Sequence, residues 1–600
     1  MLGRAWRWLS GADRTVGAVA PTDEHTGTAQ PFAHALDDEL IGKARQSVGA
    51  GDVQFALNIL LGDVTKGGHS QERIAAANTT LADLLQECGN FKEARFAIDR
   101  ALSIIPDEPQ LNYRAGVHAL EAGEPELALD FFRLSRHYDP SYFPAYAGEA
   151  KALGKLGRRD DQRIALKVYL DRYPTHGAAL YELALWNYEQ GLFEDAISHL
   201  ESVRQDDPVF PESCNLSGLI LGRDLGRPRE AIRQFELALA NRPGWTIALS
   251  NMGWMLSEAG DLPGATGMID DVLNVLPNDA EVRLIRAYMN LKHGNFGEGW
   301  RDYSARHSSH LAVKRPYQFP AWNGLPGIQS SILVYAEQGL GDHMMFASCV
   351  SELSEIFESV HLECHPKLVS LFERSFPDVH IVPNVPLGEE PIWLNQAGKI
   401  DCQTAMGDLP GFFRDNWQSF PAHTGYLRAD PARVSYWRSR LDQLGEGVKI
   451  GVSWRGGVQS TRQRLRSIPL TMFAPLSKER ASLVSLQYGD VARDIEHSRS
   501  MGVEVVHWDD ALSDYDETAA LACALDLTVS VCTAVIHLCG ALGRPALVLV
   551  PKVAEWRYLH SGEKMPWYPS VTLIRQEVTG EWQPVIDEAV LRLRQELDGY

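Results

Sequence analysis

The sequence predicts a chain in two parts, an all-helical repeat array followed by an α/β region with two parallel sheets. Prolines recur at steps of 34 or 35 residues through much of the first half. From about residue 330, short β-branched runs alternate with helical stretches, a pattern typical of βαβ units. A chain of 600 residues also exceeds what one hydrophobic core usually holds. These observations together predict several domains.

Composition narrows the class of protein. The chain is 45% hydrophobic and 22% charged, which is the balance of an ordinary globular protein and excludes a disordered or fibrous chain. It has 57 Lys and Arg against 78 Asp and Glu, a formal net charge of -21. Such a charge repels a phosphate backbone, so we expect no nucleic-acid partner.

The cysteines and the start of the sequence bear on location. The 8 cysteines form no C-x-x-C pair, so we expect reduced thiols and no bound metal. The first residues are basic and aromatic and lack the apolar core of a signal peptide. No apolar run approaches the roughly 20 residues of a membrane span. We therefore expect a cytoplasmic protein without a membrane span.

The repeat is built on a fixed set of positions. Twelve residues before each proline stands a position that is small in five of the six units, Gln162 being the exception. Four residues after it comes a large apolar residue on the same helical face. A glycine five residues before the small position ends the first helix of each pair. The repeating prolines are Pro106, Pro140, Pro174, Pro208, Pro243 and Pro277.

This pattern resembles the tetratricopeptide repeat (TPR) over six units, from about Ala75 to Asp279. Degenerate units precede and follow, around residues 51–60 and 294–306. The resemblance implies a solenoid whose concave groove holds an extended peptide or a partner's helix. The alternative is that the solenoid is only a scaffold or a dimerisation surface.

The second half is predicted element by element. Strands are expected at 331–335, 360–364 and 380–382, and then at 449–454, 481–486, 503–506, 527–530 and 546–550, with a helix at 516–524. The predicted organisation is an N-terminal segment (1–40), a solenoid (41–300), a connector (301–329) and two sheet halves (330–430 and 445–600). Ligands of such sheets bind at the carboxyl ends of the strands, so the site is expected in the cleft between the halves.

The loop after the first predicted strand carries one candidate site. Gly339 and Gly341 permit a close approach of backbone, and Asp342 stands at the mouth of the next helix. A carboxylate there could take a proton from an attacking hydroxyl. The local sequence favours equally that Asp342 only caps the helix.

A second candidate loop follows the strand that ends near Ser530. Thr533 opens a helix whose positive end suits a phosphate. His537 lies one turn further on the same face. The alternative for His537 is a core histidine, which is favoured if this helix is fully buried.

The third candidate loop is rich in arginine. Arg455, Arg462, Arg464 and Arg466 fall within twelve residues just after a predicted strand. In an acidic protein, this cluster at a strand end predicts an anion site. A solvated basic loop remains the alternative for two of the four.

These segments in combination resemble bacterial TPR glycosyltransferases. The resemblance rests on Tyr-Ala-Glu-Gln-Gly-Leu-Gly-Asp at 335–342, on 454–469, on Ser-Val-Cys-Thr-Ala-Val-Ile-His at 530–537, on Gly-Ala-Leu-Gly-Arg-Pro at 540–545, and on 555–559, 566–569 and 573–576. It covers residues 75–580 and implies a GT-B-like, heptosyltransferase-like second half made of two Rossmann-type domains. It further implies a nucleotide-sugar donor on the second sheet half, an acceptor from the first, and no metal or other cofactor.

The resemblance also implies roles for single residues. Asp342 becomes the catalytic base, and Arg455, Arg464 and Arg466 become phosphate or leaving-group clamps. Thr533 and His537 become donor contacts. Cys532 departs from the family pattern, because Asp usually stands at this position and a thiol does not replace a carboxylate. This departure leaves open a nucleotide of another type, and equally an inactive enzyme.

The leading hypothesis from the sequence is an inverting protein O-glycosyltransferase that holds a polypeptide in its TPR groove. Within the resembled family, enzymes that modify flagellin use CMP-activated nonulosonic acids, so flagellin and such a donor are the candidate substrates. Two alternatives stay open. One is a binding or chaperone protein whose transferase half has lost its chemistry, and the other is a transferase for a glycan or lipid-linked acceptor.

Overall fold

The computed structural model describes residues 38–61, 71–309, 315, 317–325, 327, 330–386, 389, 391–457, 462–478 and 480–598. The predicted N-terminal segment therefore lies outside the described residues except for its last three positions. The described chain forms two compact units, one that ends at Ser217 and one that begins at Gly218.

The first unit is all-helical, and its helices pair in chain order. The first five pairs are α1 (Asp38–Gly49) with α2 (Val53–Leu61), α3 (Gln71–Glu87) with α4 (Phe91–Ile104), α5 (Pro109–Glu121) with α6 (Pro125–Tyr138), α7 (Pro144–Lys155) with α8 (Arg159–Arg172), and α9 (Gly177–Glu189) with α10 (Phe193–Glu201). Helix α11 (Phe210–Leu219) contains the division between the units. The helical repeat predicted from the prolines is confirmed.

The repeat positions have the structural roles that the pattern predicts. Each first helix ends at a glycine with positive φ, for example +78° at Gly89 and +81° at Gly123, where a side chain would be strained. Large apolar residues of the second helices are buried between small ones. A Cβ at Gly116 would lie 2.6 Å from the Phe132 ring, so this packing requires glycine.

The second unit begins with helices of the same repeat. A π-helical turn (Ile220–Asp224) leads to α12 (Pro228–Asn241), α13 (Thr246–Ala259), α14 (Leu262–Val275), α15 (Ala280–Lys292) and α16 (Phe296–Tyr303). The last two helices share a hydrophobic core with the α/β part. Trp300 of α16 stacks edge-on against Trp556, with ring centroids 5.5 Å apart. The repeat and α/β parts therefore form one body within this unit.

The first sheet is parallel, in the order β3-β2-β1-β4. Its strands are β1 (Ser331–Tyr335), β2 (Ser359–Cys364), β3 (His380–Pro383) and β4 (Cys402–Ala405). The helices of this half are α17 (Leu340–Phe346), α18 (Val350–Ile356), α19 (Val369–Ser375) and α20 (Leu409–Phe413).

The second sheet has the order β10-β11-β9-β8-β5-β6-β7, and only the β10–β11 pair is antiparallel. Its strands are β5 (Val448–Ser453), β6 (Ala481–Ser485), β7 (Val505–Val506), β8 (Leu527–Val531), β9 (Ala546–Val550), β10 (Lys564–Met565) and β11 (Tyr568–Arg575). The helices from this point on are α21 (Pro431–Asp442), α22 (Ala474–Ser477), α23 (Ala492–Ser500), α24 (Asp509–Ser513), α25 (Tyr515–Ala524), α26 (Ala534–Ala541) and α27 (Gln583–Asp598). The predicted fold class, a helical repeat followed by parallel-sheet α/β elements, is confirmed.

Three strands lie outside the sequence predictions: β4, β10 and β11. Strand β4 is four residues long and carries no β-branched alternation. It is held by pairing with β1 and by a hydrogen bond from the Trp322 backbone N–H to the Gln403 carbonyl oxygen at 2.8 Å. Its place is thus set by long-range pairing rather than by local pattern.

Candidate functional site

The candidate base lies in the first turn of α17, just after β1. The Asp342 carboxylate accepts a hydrogen bond from the Gly339 backbone N–H at 3.2 Å, which is the capping arrangement. The same carboxylate also forms an ion pair with Arg557, whose Nε donates to Oδ1 at 2.9 Å. Asp342 therefore both caps its helix and carries a charge contact to the second half.

Arg557 belongs to a charged network at the strand ends of the second sheet. It stands in a 3-10 turn (Trp556–Tyr558) in the loop that follows β9. The Glu555 carboxylate accepts from Arg557 at 3.3 Å and from Arg466, in the loop after β5, at 3.1 Å. Two carboxylates and two guanidinium groups therefore meet at the carboxyl ends of strands from both sheets, where ligands of such folds bind.

The network sets the charge state of its members. Burial alone would raise the pKa of Asp342, but the charge of Arg557 and its hydrogen bonds hold that pKa below the ordinary value. Burial alone would lower the pKa of Arg557, but Asp342 and Glu555 raise it. Both groups are charged at neutral pH.

His537 lies in the same region but is a core residue. It is 5% exposed, and its Nδ1 lies 3.1 Å from the hydroxyl of Tyr568. Burial and the nearby Arg557 lower its pKa to about 4, so the ring is neutral at physiological pH. A Cβ at Gly341 would lie 3.0 Å from the His537 ring, so Gly341 allows α17 and α26 to approach closely. Gly339, by contrast, has ordinary extended geometry with φ of -100°.

Thr533 is the N-cap of α26, and its hydroxyl accepts from the Val535 backbone N–H at 3.3 Å. The predicted helix opening at this residue is confirmed. Cys532 beside it is 2% exposed, and burial raises the pKa of its thiol to about 12. The thiol is therefore neutral. Its immediate surroundings include Arg462, Arg466 and Glu555, which line a cavity of about 10 Å³ with it.

The predicted arginines separate into different places. Arg466 joins the network through Glu555. Arg455 instead turns toward the helix after β6 and pairs with Asp494 at 3.1 Å. Arg464 lies in the same 3-10 turn as Arg466 and is exposed. The structure thus brings together Asp342, His537, Gly341 and Arg466, and it holds Arg455 on a different partner.

Arg462 is anchored on the repeat helices. It is 8% exposed, adopts a left-handed backbone conformation, and its guanidinium lies 5.0 Å from the Trp254 ring centroid on α13. The Trp254 indole N–H donates to Glu258 at 3.1 Å, and Glu258 pairs with the buried Lys292 of α15. The arginine-rich loop is therefore held by repeat side chains.

The first strand-end loop is held in a similar way. The buried Arg306, just after α16, pairs with Glu337 at 2.5 Å and with Asp408 at 2.7 Å. The Gln338 amide donates to the Tyr303 hydroxyl at 2.8 Å. The loop that precedes α17 is thus fixed by residues at the end of the repeat.

An open cavity of about 450 Å³ lies beside this loop, at the carboxyl ends of β1, β2 and β3. Its polar lining includes Arg315, Gln338, His365 and Asn384. A cleft of this size with a few polar groups matches a small-molecule or side-chain site.

Sequence reasoning missed Arg557, Glu555 and the pair Arg306–Glu337. The segment 555–559 carries only a family pattern, and nothing in it marks Arg557 as the partner of a residue 215 positions away. The one available signal was the presence of charged residues in an apolar, aromatic stretch after β9. Among the described residues, no group of three or more His, Cys, Asp or Glu is placed to hold a metal ion. No helix in the described ranges is both long and apolar enough to cross a bilayer.

The fold defines a TPR array joined to a two-sheet α/β part, and comparison with known proteins supports its repeats. The tetratricopeptide-repeat family model matches residues 79–142 and 148–209, so the predicted TPR units are confirmed there. Protein FlbA of Caulobacter vibrioides is 28% identical over 543 residues, which covers 87% of this chain and 85% of FlbA. That similarity extends over both parts of the chain.

Two solved structures illustrate the similarity of the helical part. YrrB, described as a TPR protein with an unusual peptide-binding site, is 18% identical and covers 29% of this chain and 90% of its own, with a TM-score of 0.26. PilF of Pseudomonas aeruginosa is 16% identical and covers 36% of this chain and 98% of its own, with a TM-score of 0.33.

Proposed function

We propose that this protein is an inverting O-glycosyltransferase that transfers a sugar from a nucleotide-sugar to a Ser or Thr hydroxyl of a polypeptide. One observation carries the proposal. Asp342, at a strand end of the first sheet, contacts Arg557, at a strand end of the second. A carboxylate and a guanidinium group from two parallel sheets therefore meet where such folds bind their ligands, which supports the proposal.

The residues divide the chemistry between them. Asp342 accepts the proton of the attacking hydroxyl as that oxygen bonds to the anomeric carbon. The bond from the anomeric carbon to the phosphate oxygen breaks, and the leaving phosphate takes its electron pair. Arg466 and Arg557 stabilise the developing negative charge, a task that elsewhere falls to a metal ion. The neutral thiol of Cys532 adds no competing negative charge there, which favours an anionic donor such as a CMP-nonulosonic acid.

The TPR units support a polypeptide acceptor, because such arrays bind extended peptides along their helices. Flagellin is the candidate acceptor. The similarity to FlbA extends over 87% of the chain, which supports a joint role for the repeats and the α/β part.

A second candidate function has its own observation. In this structure the Asp342 carboxylate is neutralised by Arg557, and the residue at 532 is an uncharged thiol. Both features fit a binding or chaperone protein whose transferase half no longer turns over. A transferase for a glycan or lipid-linked acceptor is the third reading, with the TPR array serving assembly.

The experiment that tests the proposal is intact-mass spectrometry of flagellin from cells with wild-type protein, Asp342→Asn, or a deletion of the gene. The control variant is Asp378→Asn, which changes an exposed carboxylate on the same sheet half. Thermal melting of each purified variant shows whether the fold is intact.

A sugar-sized mass in wild type and Asp378→Asn, absent from Asp342→Asn and the deletion, supports the proposal. Loss of the mass only in the deletion excludes Asp342 as the base and favours the binding protein. No added mass in any strain rejects a flagellin acceptor and leads to assays with glycan acceptors. Calorimetry with CMP, UDP and GDP identifies the nucleotide, and binding of UDP or GDP without CMP rejects the nonulosonic donor.

A further inference from the structure

Arg466 and Arg557, at the strand ends, are arranged like an anion site in which protein carboxylates serve as the anions. The guanidinium groups of Arg466 and Arg557 contact opposite oxygens of the same Glu555 carboxylate, at 3.1 and 3.3 Å. One carboxylate reaches both groups, so the two guanidinium groups are close enough for a single phosphate to contact both, and a phosphate offers more acceptor oxygens.

Asp342 contacts Arg557 on a different side from Glu555. Arg557 directs Nε and a terminal nitrogen at one oxygen of Asp342, so this carboxylate occupies the forked face that a phosphate would take. The side chains of Arg557 and Asp342 are 15% and 16% exposed. They are therefore reachable from solvent yet sufficiently desolvated to make each charge contact strong.

A phosphate and Asp342 cannot both keep this face of Arg557. An added phosphate places a second anion against the face of Arg557 that Asp342 contacts, and the two anions repel each other in this partly buried place even with Arg462 beside Glu555. A phosphate can form bidentate contacts with arginines, whereas Asp342 offers one oxygen to Arg557. Glu555 is held by both arginines and Asp342 by Arg557, so we expect Asp342 to be the carboxylate that is displaced.

We propose that Arg557, with Arg466, is the phosphate-binding residue of the donor site, and that the bound phosphate replaces Asp342 as the counter-ion of Arg557. The identity of the phosphate as a donor group rests on the proposed function. The exchange releases the Asp342 carboxylate only when the donor is in place, so the order of binding is donor first and acceptor second.

The surroundings of Asp342 make the release chemically useful. Without Arg557, the Gly339 N–H still donates to Asp342, and the titratable groups near the carboxylate are neutral at physiological pH: His537, His343, Tyr288 and Tyr568. Burial then raises the pKa of Asp342, because the main opposing charge is gone. A carboxylate with a higher pKa is a stronger base, so binding of the donor makes Asp342 a better proton acceptor.

The test is calorimetric binding of CMP, UDP, GDP and inorganic pyrophosphate to the full chain, with wild type, Arg557→Gln, Arg557→Lys and Asp342→Asn. The control is Arg499→Gln, an exposed arginine of the same half. We expect Arg557→Gln to lower the affinity for the tightest-binding probe at least about tenfold. Arg557→Lys should restore part of this affinity, and Arg499→Gln should leave it unchanged. Asp342→Asn should bind the probe more tightly, because the internal competitor is removed.

A second readout separates exchange from a merely structural role. Titration near pH 5 in two buffers of different ionisation enthalpy measures protons taken up on binding. The probe phosphate has its own pKa of about 6 and releases protons when it binds arginines, so the readout is the difference between the two proteins. Wild type should take up more protons, or release fewer, than Asp342→Asn. Equal affinity of wild type and Arg557→Gln overturns the inference, as does weaker binding by Asp342→Asn or an equal number of protons exchanged by wild type and Asp342→Asn.

The outcomes also separate this inference from the proposed function. Sugar transfer that persists with unaltered probe binding in Arg557→Gln rejects the exchange alone. Probe binding that depends on Arg557 in a protein that transfers no sugar rejects the glycosyltransferase and retains the anion site. If wild type binds neither a nucleotide nor pyrophosphate, the anion site itself is rejected.

Discussion

One carboxylate, Glu258, serves two buried cations, and this arrangement predicts an unequal response to mutation. Glu258 pairs with Lys292, and the two side chains are 4% and 6% exposed. Arg462 lies over Trp254 at 5.0 Å, and its pKa is lowered by burial and partly restored by Glu258. Removing one partner of a buried pair costs about 3–5 kcal/mol when a charge is left alone.

The cost therefore depends on which charge is removed. Glu258→Gln leaves Lys292 without its paired carboxylate and removes the main negative charge beside Arg462, on which Glu555 and Asp224 still act, so we expect the upper end of the range, about 4–5 kcal/mol. Lys292→Met leaves Glu258 with Arg462 and the Trp254 N–H, so we expect about 2 kcal/mol or less. At about 2 °C per kcal/mol for a large unit, the melting temperatures should fall by about 8–10 °C and about 4 °C.

The assay is thermal melting at pH 7 by circular dichroism, with Glu298→Gln as the control. Glu298 pairs with Arg301 on the surface, where both side chains are more than 60% exposed. Loss of this pair should change the melting temperature by no more than about 1–2 °C. If Lys292→Met proves as destabilising as Glu258→Gln, Arg462 gives Glu258 no compensation and the expected inequality is wrong.

Two further predictions concern the contact between α17 and α26. Gly341→Ala places a methyl group 3.0 Å from the His537 ring, so the helices must separate slightly. We expect the free energy of unfolding, measured in urea, to fall by about 1–3 kcal/mol. An unchanged urea midpoint would contradict the close contact. Because the pKa of His537 is lowered to about 4, the unfolded state binds more protons than the folded state between about pH 4 and 6.5. Stability should therefore fall as the pH drops through this window. His537→Gln should make the melting temperature depend less steeply on pH. An equal slope in both proteins would show that another group titrates.

Much of the fold follows from local pattern. The spacing of Pro106 and its successors predicts the helix pairs, because each pair repeats the same small, apolar and glycine positions. The strands that are β-branched and buried, such as β5 and β9, are likewise predicted. Strand β4 is not, because its pairing with β1 depends on residues about 70 positions away.

The candidate site is predictable only in part. Asp342 and Arg466 are recognisable as chemical groups at strand ends, and both lie in the charged network. Arg455 carries the same local signal but pairs with Asp494, and His537 is a buried core residue. Local sequence shows which residue types follow a strand, but it does not predict which partner a long side chain contacts.

The sequence by itself determined the helical repeat, the two parallel-sheet halves and the loops where charged groups gather, since these depend on periodicity and on residues close in the chain. Only the tertiary structure decided that Asp342 is paired with Arg557, 215 positions away, and that Glu258 of a repeat helix faces Arg462 of the arginine-rich loop. The physical reason is that the energy of an interaction between two charges depends on how deeply they are buried and on how close the counter-ion lies. Both are fixed by the packing of distant segments rather than by neighbours in the chain.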